Sequence, residues 1–542
     1  MKSGGKLITA AAGALGAVIF VLIFGVRVLS PVYIDFLTRG DPGQHYYGWL
    51  LFRTAPWQPL IGMMNTADHP YSVSVIFTDS IPLCAVFFKI FRGILPDSFQ
   101  YFGMWGLLCF ILQGIIAERI LSRYVKNPVI RLIGCIFFII TPAFIRRSFW
   151  HIAMASHWLL LLSIYFYLVD GDDPAGISEK KCVTKTAFHW AVLGALCASI
   201  HLYYLGMCGL IAVILAVRIR YERQKVIRAV MVPVSFVGSS VAVLWILGAF
   251  HSGMSSDAPG LGFYSFNLLG FFIPDGWSSI LPKIPYYADG QVEGFSYMGL
   301  GFIVIMIISV FYAVKAKIWQ RPVVGFGLGI IFAAVLIGAS AKVSAGPWLL
   351  WKYDVSGAGV IKKLWEIFRS SGRFAWIPLY LIMAGAFSVI GHSADNEHKK
   401  MIIVLASMCL ILQVADIYPG IKKKHDEVIN TEPVQDMLPA KKWTELAESG
   451  KFRHIVFMDK DKLSQEELYG FAGYAAKNGM TLNDFYFARS FDLHIREIAE
   501  DSAYHPSEDT MYIFSLSQQN VLDNYDLTYY AYDGYFIGIK EN

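Results

Sequence analysis

Charge is scarce in this 542-residue chain: Asp, Glu, Lys and Arg make up 16% of it, against 55% hydrophobic residues. So little charge excludes a single water-soluble globule, whose surface needs more polar cover than this. Cysteine is sparse too. The seven residues Cys84, Cys109, Cys135, Cys182, Cys197, Cys208 and Cys409 lie mostly within apolar runs, without CxxC spacing, so neither a disulfide frame nor a zinc knuckle is expected. No HExxH motif occurs, and no two of His151, His157 and His201 have the i, i+4 spacing of a helical metal pair. No metal centre is expected on that ground. The C-terminal region has no nucleotide-binding loop, and no nucleic-acid partner is expected.

What is abundant is apolar length. A membrane span needs about 20 apolar residues. Candidate spans fall at 8–29, 101–120, 131–149, 155–170, 186–200, 203–217, 228–250, 298–316, 322–340, 374–391 and 400–417, eleven in all. The first follows Lys2 and Lys6 and is longer than a signal-peptide core, so it reads as a retained span. Lys/Arg-rich connections at the N-terminus and at 119–131, 180–185, 218–228, 315–321 and 398–400 are assigned to the cytoplasm by the positive-inside rule. Alternation then places residues 31–100, 251–297, 341–373 and everything from 430 onward outside. It also requires the apolar stretch 80–91 to be a helix lying against the membrane.

Two domains follow: a multi-span membrane domain over 1–429 and a soluble extracytoplasmic domain over 430–542. The latter carries 19 acidic against 10 basic residues. Apolar runs at 454–458, 511–516 and 535–539 read as strands and 464–478 as a helix, which makes it α/β.

Function concentrates in long loops held by a rigid scaffold. The first outer loop contains DPGQHYYGW (41–49), in which Asp41 stands before a proline, a good helix N-cap arrangement, with His45 four residues on. Asp79 in FTDSIPL (77–83) precedes a second apolar helix in the same way. Either acid could simply cap its helix, or serve as a general base once partial desolvation moves its pKa into the working range. FRSSGRFAW (368–376) places Arg369 and Arg373 four residues apart at the mouth of a span. Arginines on the outer side ask for an anionic partner, and the guanidinium suits phosphate. Arg146, Arg147 and Lys283 are expected at the same face, where headgroup anchoring by snorkelling is an equal reading for the first two. The loop at 263–301 is aromatic and rich in Pro and Gly, which suits sugar stacking or an interfacial belt.

The order of Asp41, the segment 44–52, HPYSVSVIFTDSIPL (69–83) and the apolar helix to Phe91 resembles the first outer loop of the membrane glycosyltransferases of the C-type fold (GT-C). That group includes protein O-mannosyltransferases, oligosaccharyltransferase catalytic subunits and lipid A aminoarabinose transferases. More narrowly, DPGQHYYGW, FTDSIPL, HIAMASHWLLL (151–161), NLLGFFIP, EGFSYMGLG and FRSSGRF are similar to a bacterial family of membrane proteins of unassigned function, over nearly the whole chain. The Asp-X-Asp or Glu-X-Asp signature of the C-type enzymes is absent, since 41–43 read DPG. Metal dependence and donor type are therefore not implied.

The resemblance implies a multi-pass protein of the bacterial inner membrane. It would move a sugar, with inversion, from a polyprenyl-phosphate donor to a cell-envelope glycan or lipid acceptor on the extracytoplasmic face, with no cofactor beyond the lipid-linked sugar. Asp41 would be the base, Arg369 and Arg373 would hold the phosphate, and His45, Asp79, His157 and His201 would orient the sugars. Two other classes stay open: a transporter or flippase of lipid-linked saccharides, and a non-catalytic envelope-assembly protein in which Asp41 is only a cap.

Overall fold

The computed structural model describes residues 3–172, 176–251, 261–354, 357, 359–394, 399–433, 435–487 and 494–541. His398, expected in a cytoplasmic loop, lies outside them. Among the described residues, ten helices are long and apolar enough to cross a membrane: Gly4–Phe24, Phe102–Leu121, Pro128–Arg147, Ile152–Asp170, Glu179–Ile200, Tyr203–Arg223, Val226–Ile246, Pro322–Ala339, Ser371–His392 and Lys399–Ile429. The remaining expected span is the shorter apolar helix Leu300–Lys315. The chain is a multi-pass α-helical membrane protein with a C-terminal α/β domain.

Local chemistry explains several helix ends. Asn127 caps the third span by accepting from the Val129 and Ile130 amides, with Pro128 at the first helical position. At His201 the helix breaks into extended backbone before Tyr203 restarts it, so the two short windows flanking His201 are separate helices. Asp416, buried within the last span, accepts hydrogen bonds from Tyr297 Oη at 2.7 Å, from the Leu300 amide at 2.8 Å and from Ser278 Oγ. It thereby caps the short helix and pins the end of the loop that precedes it.

By internal contacts the chain divides into two compact units. The first comprises Met1–Val28, Phe102–Ala242 and Ser256–Asn430, and holds most of the helical bundle. Its first two helices pack backbone to backbone: a Cβ on Gly16 would stand 2.2 Å from the Phe110 carbonyl oxygen, and one on Gly114 would stand 2.3 Å from that of Ala12. Small residues at such crossings permit the close approach that van der Waals packing in a bilayer requires.

The second unit joins Leu29–Tyr101, Val243–Ser255 and Thr431–Asn542. Its centre is a five-stranded sheet in the order 481–482, 454–457, 510–515, 535–539, 528–532. The first two neighbouring pairs are parallel and the last two antiparallel. The helix Gln465–Asn478 starts on a Ser464/Glu467 capping box and stops at Gly479 in the left-handed conformation (φ 67°). The segment between the first two spans completes the sheet edge: the Leu482 amide donates to the Thr66 carbonyl at 2.9 Å, and the His69 amide donates to the Leu482 carbonyl at 2.8 Å. The loop contributes the helix Gly40–Thr54 and the nine-residue helix Pro82–Ile90, too short to span and placed where the sequence expects a helix lying against the membrane.

Candidate functional site

In the second unit, the helix Gly40–Thr54 presents the first candidate residues. It begins at Gly40, with Arg39 at the N-cap position and no side-chain capping bond. Asp41 is therefore a first-turn acid, where the helix dipole favours a carboxylate, and the expected N-cap role is corrected. Asp79 does not N-cap the helix after it either; it closes the short 3-10 helix Val75–Thr78 as its C-cap, in the left-handed conformation. The helix after it is entered through Ile81, without a side-chain bond.

Asp79 and Ile81 both take positive φ, 54° and 53°. For a β-branched isoleucine this is strained backbone, held only where surroundings over-determine it. The surroundings here are explicit. Ser80 Oγ donates to the His45 carbonyl and meets Thr78 Oγ1, each at 2.7 Å. Tyr101 Oη donates to the Ser80 carbonyl, and Gln44 Nε2 to that of Phe77. A Cβ on Gly48 would stand 2.4 Å from Thr78 Cβ, so glycine is what lets the helix lie directly on this turn. The result brings a ring nitrogen of His45 and a carboxylate oxygen of Asp79 within 4.8 Å of each other. Burial lowers the His45 pKa to about 3, so its imidazole is neutral and keeps a lone pair available.

The C-terminal domain covers the start of the same helix. Tyr469 Oη donates to the Gly40 carbonyl at 2.9 Å. A Cβ on Gly43 would stand 2.4 Å from Tyr469 Cε2, so this ring rests on bare backbone two residues from Asp41.

In the first unit the candidates form a basic, aromatic cluster. Arg147, 2% exposed, donates through Nη2 to Glu293 Oε2 at 2.9 Å and to the Glu293 carbonyl at 2.8 Å. Arg373 donates to the same Oε2 through Nη2 at 2.6 Å and Nε at 3.2 Å. Burial alone would raise the Glu293 pKa, but Arg147 and Arg373 outweigh it and bring it down to about 2. A glycine contact sets this geometry. A Cβ on Gly294 would stand 2.9 Å from Gly372 Cα, so the EGF and SGR segments touch and their neighbours Glu293 and Arg373 meet.

Aromatic faces line the cations. The Arg147 guanidinium lies 5.6 Å from the Trp376 ring centre and that of Arg373 lies 4.6 Å from Tyr203. The Tyr203 hydroxyl accepts from the Ser370 amide. Arg146 is paired with Asp275 at 2.7 Å and Lys424 with Glu427 at 2.9 Å. Buried ion pairs of this kind replace the snorkelling weighed for Arg146 and Arg147.

The remaining residues fall in different places. Arg369 does not share a helical face with Arg373, as their spacing suggests. It follows a helix that ends at Ile367, whereas Arg373 sits in the short 3-10 turn Ser371–Ala375. The Arg369 guanidinium lies over Tyr264, at 5.7 Å. His201 stands at the helix break, where its Nδ1 accepts from the Tyr203 amide at 3.2 Å and its ring lies 5.1 Å from that of His151. His157 is fully buried, with Nδ1 2.7 Å from Tyr380 Oη and its ring 4.4 Å from Trp376, so it supports Trp376 from behind. Sequence reasoning missed Glu293 and underweighted Arg147. The signal was weak, since Glu293 is one of three acids in that aromatic loop, with Asp275 and Asp289, and each of the three stands before a glycine.

A family described as "Domain of unknown function (DUF6311)" matches residues 13–418, and the "DUF6311 C-terminal domain" matches 442–540. No curated protein matches the chain. Among solved structures, the apo oligosaccharyltransferase of Archaeoglobus fulgidus is similar with a TM-score of 0.49 and 11% identity, over 96% of this chain and 70% of that one. ArnT from Cupriavidus metallidurans, bound to undecaprenyl phosphate, gives 0.48 and 11%, over 96% and 97%.

Proposed function

The chain belongs to the DUF6311 family, a family of unassigned function, and we propose that this member is a membrane glycosyltransferase that uses a polyprenyl-phosphate sugar as donor. The observation that carries the reading is the buried pair Arg147 and Arg373 converging on one carboxylate oxygen. Two guanidiniums at span ends, held against aromatic faces, are the chemistry that takes a phosphate where water is scarce.

In the proposed reaction the acceptor hydroxyl oxygen attacks the anomeric carbon with inversion. Asp41 takes the hydroxyl proton as the new bond forms, and the bond from the anomeric carbon to the phosphate oxygen breaks. The electron pair leaves on the lipid phosphate, whose added charge Arg147 and Arg373 stabilise. In this reading His45 and Asp79 orient hydroxyls, as does His201, and His157 stands behind Trp376. Arg369 is a peripheral contact in this scheme. The acceptor is a cell-envelope glycan or lipid on the extracytoplasmic face of a bacterial inner membrane, with the C-terminal domain on that side.

The test is sugar transfer from a labelled polyprenyl-phosphate sugar in membranes holding wild type, Asp41→Asn or Arg373→Ala at equal expression. Wild type is expected to transfer and both variants to fail. Full activity of Asp41→Asn sinks the base assignment, and absence of transfer with every lipid-linked sugar offered sinks the reading.

A further inference from the structure

Glu293 is an odd resident for a seat built to hold a substrate anion. All three of its side-chain bonds to arginine, from Arg147 Nη2 and from Arg373 Nε and Nη2, converge on Oε2. Arg147 Nη1, also buried, has no hydrogen-bond partner among the described residues. An unused guanidinium N–H in a buried site is a standing desolvation cost, which an anion with more acceptor oxygens would remove.

Charge points the same way. Arg146 and Lys424 already have their own acids, Asp275 and Glu427. Arg147 and Arg373 converge on Glu293, so an anion that takes its place must match its negative charge. A phosphodiester brings one negative charge with more oxygens, and the departing monoester brings nearly two.

The side chain is also placed to leave. It is 19% exposed, against 3% and 8% for the side chains of Arg147 and Arg373, so it is the least enclosed of the three. Its backbone is fixed by the Gly294–Gly372 contact, and the Glu293 carbonyl still holds Arg147 if the carboxylate rotates away. The loop is anchored independently through Gln291, which bonds Ser265 and Ser344 and accepts from Asn267.

We propose that Glu293 is an internal stand-in for the substrate phosphate: its carboxylate neutralises Arg147 and Arg373 until a lipid-linked phosphate displaces it. The identity of the displacing anion rests on the glycosyltransferase reading; the displacement itself does not. The lipid-linked form follows from the seat's position, because Arg147 ends one membrane span and Arg373 lies in the first turns of another.

The test uses full-length protein in lipid nanodiscs, titrated with undecaprenyl phosphate or inorganic phosphate and read by native mass spectrometry and thermal unfolding. Glu293→Gln is expected to bind undecaprenyl phosphate at least tenfold more tightly than wild type. Its Tm should be lower without ligand and rise more on adding it. Adding Arg373→Gln to that variant should abolish the gain. If Glu293→Gln does not fold, Glu293→Asp decides, because a carboxylate shortened by one methylene keeps the charge but loosens the clasp; its expected gain is severalfold.

Unchanged or weaker binding by a folded Glu293→Gln overturns the proposal and leaves Glu293 as an orienting residue, and so does the absence of a gain in Glu293→Asp where only that variant folds. A gain for inorganic phosphate alone overturns the lipid-linked assignment. Transfer activity is scored separately. Tighter binding without transfer keeps the stand-in and removes the transferase; transfer without tighter binding does the reverse.

Discussion

The rings of Tyr47 and Tyr469 stack, with centroids 5.2 Å apart and planes 18° from parallel. This contact joins the helix that carries Asp41 to the helix Gln465–Asn478 of the C-terminal domain. It exists because Gly43 and Gly473 leave room for tyrosine: Gly43 lies beneath Tyr469, and a Cβ on Gly473 would stand 3.2 Å from Tyr47 Cε1. Gly43→Ala therefore forces the Tyr469 ring to move, at about 1–3 kcal/mol of stability. Limited proteolysis should release the C-terminal domain faster from this variant. In a Tyr469→Ala background the same substitution should cost much less, since the clashing ring is gone.

Arg373→Ala is expected to lower kcat for sugar transfer by about 10²–10³-fold, the usual effect of removing a group that stabilises developing charge. Arg373→Lys should recover little, because an ammonium cannot reproduce the two N–H groups that reach Glu293 Oε2. Arg369→Ala should change kcat less than about threefold, within the range of a surface substitution, because Arg369 lies over Tyr264. Equal losses at 369 and 373 would restore the shared-face reading.

Asp41→Asn keeps the shape of a first-turn residue and removes the base. Transfer should fall by about 10²–10⁴-fold, the range for loss of general-base catalysis. The Tm should shift by no more than a helix-dipole term of about 0.3–1 kcal/mol implies. A variant that loses stability instead of turnover would identify Asp41 as structural.

Burial, reinforced by Asp484 and partly offset by Lys460, raises the Asp68 pKa to about 7. The folded state thus holds a proton that the unfolded chain releases near pH 4. Its contribution to stability is fully present below that unfolded value and is lost as pH rises towards 7. Asp68→Asn should flatten the fall in Tm between pH 4 and 7 and raise the Tm at pH 8. A fall of unchanged steepness would remove Asp68 as its source.

The helical framework was legible because apolar length and the break at His201 are local signals. The strands at 454–457, 510–515 and 535–539 were legible as apolar runs. The two-residue strand Thr481–Leu482 was not, and Thr528–Tyr532, with the sequence TYYAY, shows no alternation of apolar and polar residues. The arginine pair was misread because i, i+4 reasoning assumes a continuous helix, whereas the Ser-Ser-Gly before Arg373 interrupts it. Glu293 and Arg147 meet across 146 residues of sequence, and Tyr469 meets Gly40 across 429. No periodicity reports such distances; only the packed fold does.

The pairing of Thr66 and His69 with the edge strand at Leu482 bears on how the molecule is assembled. The loop emerges early in synthesis, with its edge groups unmatched, while every later helix is still to be made. It must wait for Leu482, 413 residues beyond His69, a delay of about 20–80 s at ordinary translation rates of about 5–20 residues per second. The C-terminal domain in turn lacks its flanking segment if expressed by itself, leaving an open strand edge prone to self-association. Closure of that sheet edge joins His69 to Leu482 across those 413 residues of sequence, and a nascent protein stalled before it would present an unfinished first loop to the cell's quality control.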